Sequence, residues 1–306
     1  MLVSVIINVH NGEKYLSEAI KSALSQTYQE YEIIIWDNNS TDGTKKVVDS
    51  FTNKKIKYFR SKRFNSLGIA RNKAILESKG DLIAFLDSDD LWMPDKLDLQ
   101  VPIFNNPKIG IVISDSVFFK KDKDLRQLFK TYKPPTGKVF SELISNYFIS
   151  LETAVIRKQA LNSLDYWFDD RFNVIEEYDL FIRLCYLWEL GYVDKVLGKW
   201  RVHNESWTWK KSDSFLIERK QFFKKLKEEI PNFTKIKYPK EYHVLQRSID
   251  WDQARVLWSK GDKSSARNLL KNYLHDGIKW KIVYWLSWLP YSLFKKLAIQ
   301  LGRIVP

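Results

Sequence analysis

Over roughly its first third the chain alternates short apolar runs with segments of helical spacing, and few folds accommodate that alternation. Residues 3–9, 32–36, 56–59 and 81–86 read as strands. Between them Tyr15, Leu16, Ala19, Ile20, Ala23 and Leu24 recur at helical spacing, Val47, Val48 and Phe51 mark a second helix, and 67–76 a third. Strands this uniformly apolar must be covered on both faces. The expectation is an α/β protein with a mostly parallel, Rossmann-like sheet flanked by helices.

Past Pro107 the pattern turns to strands and loops, with 109–119 extended and Pro134-Pro135 marking a loop. A helix over 177–189 carries Leu180, Leu184 and Leu187 on one side, and 193–202 reads as extended again. From Trp209 onward the sequence is charged and helical, and no flexible linker divides the chain. Any boundary near residue 105 is therefore functional more than covalent.

Fifty Lys and Arg against thirty-seven Asp and Glu give a net charge of +13, which points to an anionic partner: a phosphate-bearing substrate, nucleic acid or an acidic lipid surface. The basic residues are dispersed and form no recognition motif, so nucleic acid is set aside. The single cysteine, Cys185, sits in an apolar run, cannot form an internal disulfide and is expected to pack in the core. The N-terminus has no basic segment or cleavage site and reads as a first strand, so residence in the cytosol is expected.

Residues 280–306 hold Trp280, Tyr284, Trp285, Trp288, Tyr291 and Phe294 beside Lys279, Lys281, Lys295, Lys296 and Arg303. The apolar run is cut at Pro290 and falls short of the roughly 18 continuous residues that a span requires. Aromatic and basic side chains together favour an interfacial position on an anionic membrane. The other arrangement is a helical pair packed on the catalytic core or on a second copy in a homo-oligomer.

The chemistry gathers at strand ends. The apolar run 81–86 is followed by Asp87, Asp89 and Asp90, and in an open α/β sheet ligands collect outside the carboxyl ends of such strands. Oxygen ligands there suit Mg2+ or Mn2+, while Asp90, ahead of Leu-Trp-Met-Pro, is expected to cap a following helix. Neither a P-loop nor a dinucleotide-binding glycine pattern is present, so a nucleotide must be held another way. Asp37, at the end of the second strand beside Asn38, Asn39, Ser40, Thr41 and Asp42, can accept from a base ring N–H. Asp42, ahead of Gly43, is expected to make the turn into the next helix.

Four pieces together resemble the family 2 inverting glycosyltransferases of GT-A fold: Ser4-Val5-Ile6-Ile7-Asn8-Val9-His10-Asn11, Asp37 with Ser40-Thr41-Asp42-Gly43, Gly68-Ile69-Ala70-Arg71-Asn72, and Phe85-Leu86-Asp87-Ser88-Asp89-Asp90. They occur in family order and spacing over residues 3–94, and weaker echoes in Glu176-Glu177-Tyr178-Asp179-Leu180 and Arg201-Val202-His203 extend the likeness to about residue 207. The resemblance implies a GT-A fold with a helical C-terminal extension. It divides the chain into a nucleotide-sugar-binding half at 1–105, an acceptor-binding half of the same domain at 106–208, a helical extension at 209–278 and the aromatic, basic tail at 279–306.

The same likeness implies roles. Asp89 would ligate Mn2+ or Mg2+, Asp87 would reach the ribose or a metal-bound water, and Arg71 would pair with Asp87 or the nucleotide. Val9, Asn11, Asp37 and Ser88 would line the nucleotide pocket, with Arg201 and His203 contacting diphosphate or metal. The general base falls on Glu177. Here the chain reads Glu176-Glu177 where the family has Glu-Asp, and the extra methylene would move the reacting oxygen by roughly an ångström. Asp179 is expected to pair with Arg183 four residues on. Trp207 and Trp209 would stack on a sugar or on lipid, or simply pack.

The function expected is metal-dependent inverting transfer of a sugar from a nucleotide-diphosphate donor, UDP-linked by preference, to a saccharide or lipid-linked acceptor in cell-envelope synthesis. The enzyme would be peripheral on the inner face of the membrane. The rivals are a non-catalytic nucleotide-sugar-binding scaffold and another nucleotide-sugar transferase; the latter would need a Gly- and Lys-rich loop that His10-Asn11-Gly12-Glu13 does not supply.

Overall fold

The computed structural model describes residues 1–121, 123–203 and 214–300, so Trp207, Trp209 and Arg303 lie outside the described residues. The chain forms two compact units, residues 1–210 and 211–306.

In the first unit β1 (Val3–Val9), β2 (Tyr31–Asp37), β3 (Ile56–Arg60) and β4 (Leu82–Phe85) run parallel in the order β3-β2-β1-β4. Helices α1 (Leu16–Leu24), α2 (Thr44–Asp49) and α3 (Leu67–Leu76) form the crossovers between them. Every residue of β1, β2 and β4 is buried, as helices packed on both faces require. Leu16, Ala19, Ile20 and Ala23 turn one face of α1 into the core cluster with Val5, Ile7, Ile33 and Leu82. Register places Val9 beside Asp37 and Ile6 beside Phe85, so the turns after β1, β2 and β4 open at one edge of the sheet.

The remaining strands are mixed and continue the same sheet. After β5 (Leu91–Trp92) and α4 (Lys96–Gln100) come β6 (Ile109–Lys120), β7 (Lys123–Gln127), α5 (Phe140–Ser145), β8 (Val155–Arg157), α6 (Lys158–Asn162), α7 (Glu176–Leu187) and β9 (Glu189–Arg201). The sheet continues from β4 through β8, β6 and β9 to β5. Thus the sheet runs unbroken across residue 105. Strand β9 lies parallel to β6 and pairs Lys199 with Leu91 and Gly198 with Trp92, which returns its carboxyl end to the turn that follows β4.

That pairing corrects one expectation. Asp90 does not cap a helix: residues 91 and 92 are extended against β9, and the next helix begins at Lys96 after Asp95. Asp90 is buried and accepts the backbone N–H of Arg201 at 2.8 Å. Strand pairing prevails over the local helix-start pattern because it buries Trp92 and satisfies backbone groups that a helix would have satisfied otherwise.

The second unit is helical: α8 (Ser214–Glu229), α9 (Pro239–Ser259), α10 (Lys263–Lys271), α11 (Ile278–Leu286) and α12 (Tyr291–Gln300). Proline at the first turn of α9 and Asp262 capping α10, where it accepts from Ser265 N at 3.0 Å, fix two of the starts. Ala254, Trp258, Ala266, Leu270, Val283 and Phe294 form a core of their own, and the Trp258 indole donates to Leu289 O at 2.8 Å. Among the described residues no helix is long and apolar enough to cross a membrane.

Candidate active site

The turns after β1 and β2 are locked to each other by side chains that replace missing backbone partners. Asn11, in the left-handed region at φ 54°, donates its N–H to Ser40 Oγ at 2.9 Å and accepts from Thr41 N at 2.8 Å. Gly12 donates to Thr44 Oγ1 at 2.9 Å; a Cβ at that position would come within 2.4 Å of Val9 Cγ2. Asp42 accepts from Thr44 N and from Glu13 N, both at 3.0 Å, and makes the turn expected of it. Ser88 lies against the same loop, its Oγ 3.5 Å from where a Gly12 Cβ would stand.

Asp37 is fully buried below this loop. One carboxylate oxygen accepts from Ser40 N at 2.7 Å and the other from Tyr58 OH at 2.6 Å, leaving further lone pairs on both. Tyr58 was not legible as a site residue: it stands on β3 with no motif around it. Asn38 and Asn65 are joined beside it by paired bonds at 2.8 and 3.0 Å, and the His10 and Phe64 rings meet at 59° with centres 4.5 Å apart.

At the end of β4 the acidic turn meets two cations from distant elements. Arg71, on α3 and nearly sealed from solvent, donates to Asp87 Oδ1 at 3.1 Å and to Glu176 Oε1 at 2.9 Å. It thereby ties the β4 turn to the start of α7. Arg201 donates Nε to Asp89 O at 2.7 Å and Nη2 to Glu18 at 2.8 Å, and its guanidinium lies 4.5 Å from the ring centres of Tyr15 and Phe119. Its place is that of a clamp on the Asp89-Asp90 turn. His203 Nε2 lies 2.7 Å from Asp89 Oδ2, and its Nδ1 is buried with no partner among the described residues.

Glu177, beside Glu176 in the first turn of α7, is half-buried. Burial, opposed by Arg71 and reinforced by Glu176, Asp87 and Glu152, pushes its carboxyl up to about 8. Asp87, Asp90 and Glu152 are also raised, first by burial and then by neighbouring carboxylates. Tyr147 stands near Glu177, and its buried hydroxyl has no partner among the described residues. Tyr147 sits in an irregular segment and Glu152 in a single 3-10 turn at Leu151–Thr153, neither with a periodic or motif signal, so sequence reading missed both. Asp179 pairs with Arg183 at 2.7 Å as expected and is structural; Cys185 is buried, with its thiol pushed up by burial.

A divalent ion fits this donor set. No three His, Cys, Asp or Glu side chains form a ready cage among the described residues. Asp89 and His203 nevertheless bring a carboxylate oxygen and an imidazole nitrogen together, beside Asp87 and Asp90, whose carboxyls are raised by burial and by their acidic neighbours. Two protein ligands completed by substrate phosphate and water are a familiar arrangement for Mg2+ and Mn2+.

The family model described as Glycosyl transferase family 2 matches residues 4–165. The chain is 29% identical over 167 residues to the UDP-Glc:alpha-D-GlcNAc-diphosphoundecaprenol beta-1,3-glucosyltransferase WfgD of Escherichia coli; the match covers 55% of this chain and 64% of that protein. Two solved structures share the fold. S. aureus TarS 1–349 in complex with UDP-GlcNAc superposes with TM-score 0.68 at 20% identity, over 89% of this chain and 80% of that 1–349 chain. The Pyrobaculum calidifontis mannosyltransferase PcManGT, in complex with GDP-Man and Mn2+, superposes with TM-score 0.63 at 18% identity, over 99% and 81% of the two chains.

Proposed function

Since the chain belongs to glycosyl transferase family 2, we propose that it moves a sugar from a nucleotide-diphosphate donor, UDP-linked by preference, to a hydroxyl of a saccharide or lipid-linked acceptor, with inversion at the anomeric carbon. One observation carries the reading: Arg71 bonds both Asp87 at the nucleotide end and Glu176 beside Glu177. Donor-side and acceptor-side carboxylates therefore belong to one rigid constellation.

In this reading the base sits among Val9, Asn11 and Asp37, and Asp87 and Ser88 meet the ribose. Asp89 and His203 would hold Mn2+ or Mg2+, with Asp87 beside them. When bound, that ion supplies charge neutralisation for the departing diphosphate. Glu177 takes the proton from the acceptor hydroxyl as that oxygen bonds to the anomeric carbon; the bond from that carbon to the diphosphate oxygen breaks in the same step. Its raised pKa suits a base working near neutral to mildly alkaline pH. Arg71 holds Asp87 in place, and Arg201 fixes the turn that carries Asp89.

The E. coli relative is named for a lipid-diphosphate-linked acceptor. A similar acceptor for this chain places its work at the inner face of a membrane, in envelope polysaccharide or glycolipid synthesis. The test is thermal-shift screening of nucleotide sugars with and without Mn2+ or Mg2+, because a true donor stabilises the fold by mass action. A shift that requires both donor and ion, followed by NMR of the product's anomeric configuration, supports the reading. No shift with any donor overturns it.

A further inference from the structure

Helix α11 turns two faces to different surroundings. Val283 packs into the core of the helical unit, with Trp280, Tyr284 and Leu286 against the same cluster. Ile278, Ile282 and Trp285 recur at helical spacing on the other side and are 72%, 46% and 67% exposed. Trp288, in the turn that follows, and Leu293 on α12 are also exposed. Large side chains bared together in this way mark an interaction surface.

Charge decides what that surface meets. At 3.6 residues per turn Lys281 falls on one flank of the apolar stripe and Lys279 on the other, and both are exposed. Lys295 and Lys296 are exposed on α12, and Arg267 lies over the Trp288 ring at 4.0 Å. From Gly277 to Pro306 the chain contains no Asp or Glu. A stripe of Ile and Trp bordered by lysines and free of acids complements a layer of apolar chains beneath anionic headgroups. Helix α11 has nine residues, about 14 Å, against a hydrocarbon core of about 30 Å, so it can lie in such an interface and cannot cross it.

We propose that the exposed face of α11, with Ile278, Ile282 and Trp285 at its centre and Trp288 beside it, inserts into the surface of an anionic lipid bilayer, with Lys279 and Lys281 holding headgroups on either side. This deepens the reading of a lipid-linked acceptor by naming the surface that meets the membrane. It is tested without donor or acceptor.

The experiment is co-sedimentation of the full chain with vesicles of phosphatidylcholine alone and of equimolar phosphatidylcholine and phosphatidylglycerol. The expected result is binding to the mixed vesicles only, weakened at high salt. Lys279→Gln with Lys281→Gln should reduce partitioning by about 30-fold, and Ile282→Ser with Trp285→Ser by about tenfold or more. All four positions are exposed, so melting temperature should stay unchanged in both variants. Equal binding to both vesicle types, or wild-type binding by either variant, overturns the proposal. So does a wild-type dimer in sedimentation velocity that the serine variant dissolves while no vesicle binding occurs, since the face then meets a second copy. The donor-induced thermal shift, measured on the same variants, separates the two readings: it is absent if the transferase reading fails and intact if only the docking face fails.

Discussion

Arg71 and Glu176 meet at 2.9 Å in a pair that solvent barely reaches, although 105 positions separate them in the chain. Removing the guanidinium breaks a buried charged pair with Glu176 and a second pair with Asp87. Arg71→Ala should therefore cost about 3–5 kcal/mol of stability, read by urea unfolding. Arg71→Met, which keeps the stem, should recover packing and little of that loss. An Arg71→Ala protein as stable as the parent would mean that Glu176 finds another partner.

Glu177 predicts a pH dependence with a definite sign. Its carboxyl is raised in the folded chain from an ordinary 4.5 to about 8, so the folded state holds the proton more tightly than the unfolded one. The associated stability is complete below about pH 4.5 and is lost as pH rises through 8. Glu177→Gln should flatten that part of the stability profile. In the parent, kcat/KM should climb about tenfold per pH unit below this value and level off above it.

Asp89 and His203, 2.7 Å apart, are predicted to share the ion. Thermal shift by UDP as a function of Mn2+ concentration reads this without turnover. His203→Ala should raise the Mn2+ requirement by roughly ten- to a hundredfold. Asp89→Asn should abolish the response, and an unaltered Mn2+ response in both variants would place the ion elsewhere.

Arg201 is tied to Asp89 O and Glu18, and that position predicts an effect before any substrate arrives. Arg201→Met should lower the stability of the donor-free protein by about 2 kcal/mol, since it removes two charged hydrogen bonds and two ring contacts. Stability unchanged without donor but weakened donor binding would make it a direct diphosphate contact instead.

Features of the site that depend on local pattern were legible in the sequence. Asp37, Asp87 and Asp89 could be placed at strand ends because uniformly apolar runs followed by polar turns identify buried parallel strands. Glu177 and His203 came from a family likeness, because no local pattern distinguishes them from a first-turn acid or a structural histidine. Asp90 was misread because a helix-start pattern followed it, while the pairing of Leu91 with Lys199 lies more than a hundred positions away. Tyr58, Tyr147 and Glu152 owe their places to the sheet order, to an irregular segment and to a single 3-10 turn, which no periodicity encodes. In the tail, sequence gave the aromatic and basic content; the structure shows which side of α11 is packed and which is bare.

The most direct test of the central claim is single-turnover transfer by Glu177→Gln, measured beside donor binding in the presence of Mn2+. The account predicts turnover reduced by about 10²–10⁴-fold with the donor-induced thermal shift intact. Turnover equal to that of the parent would contradict it and return the role of base to another carboxylate.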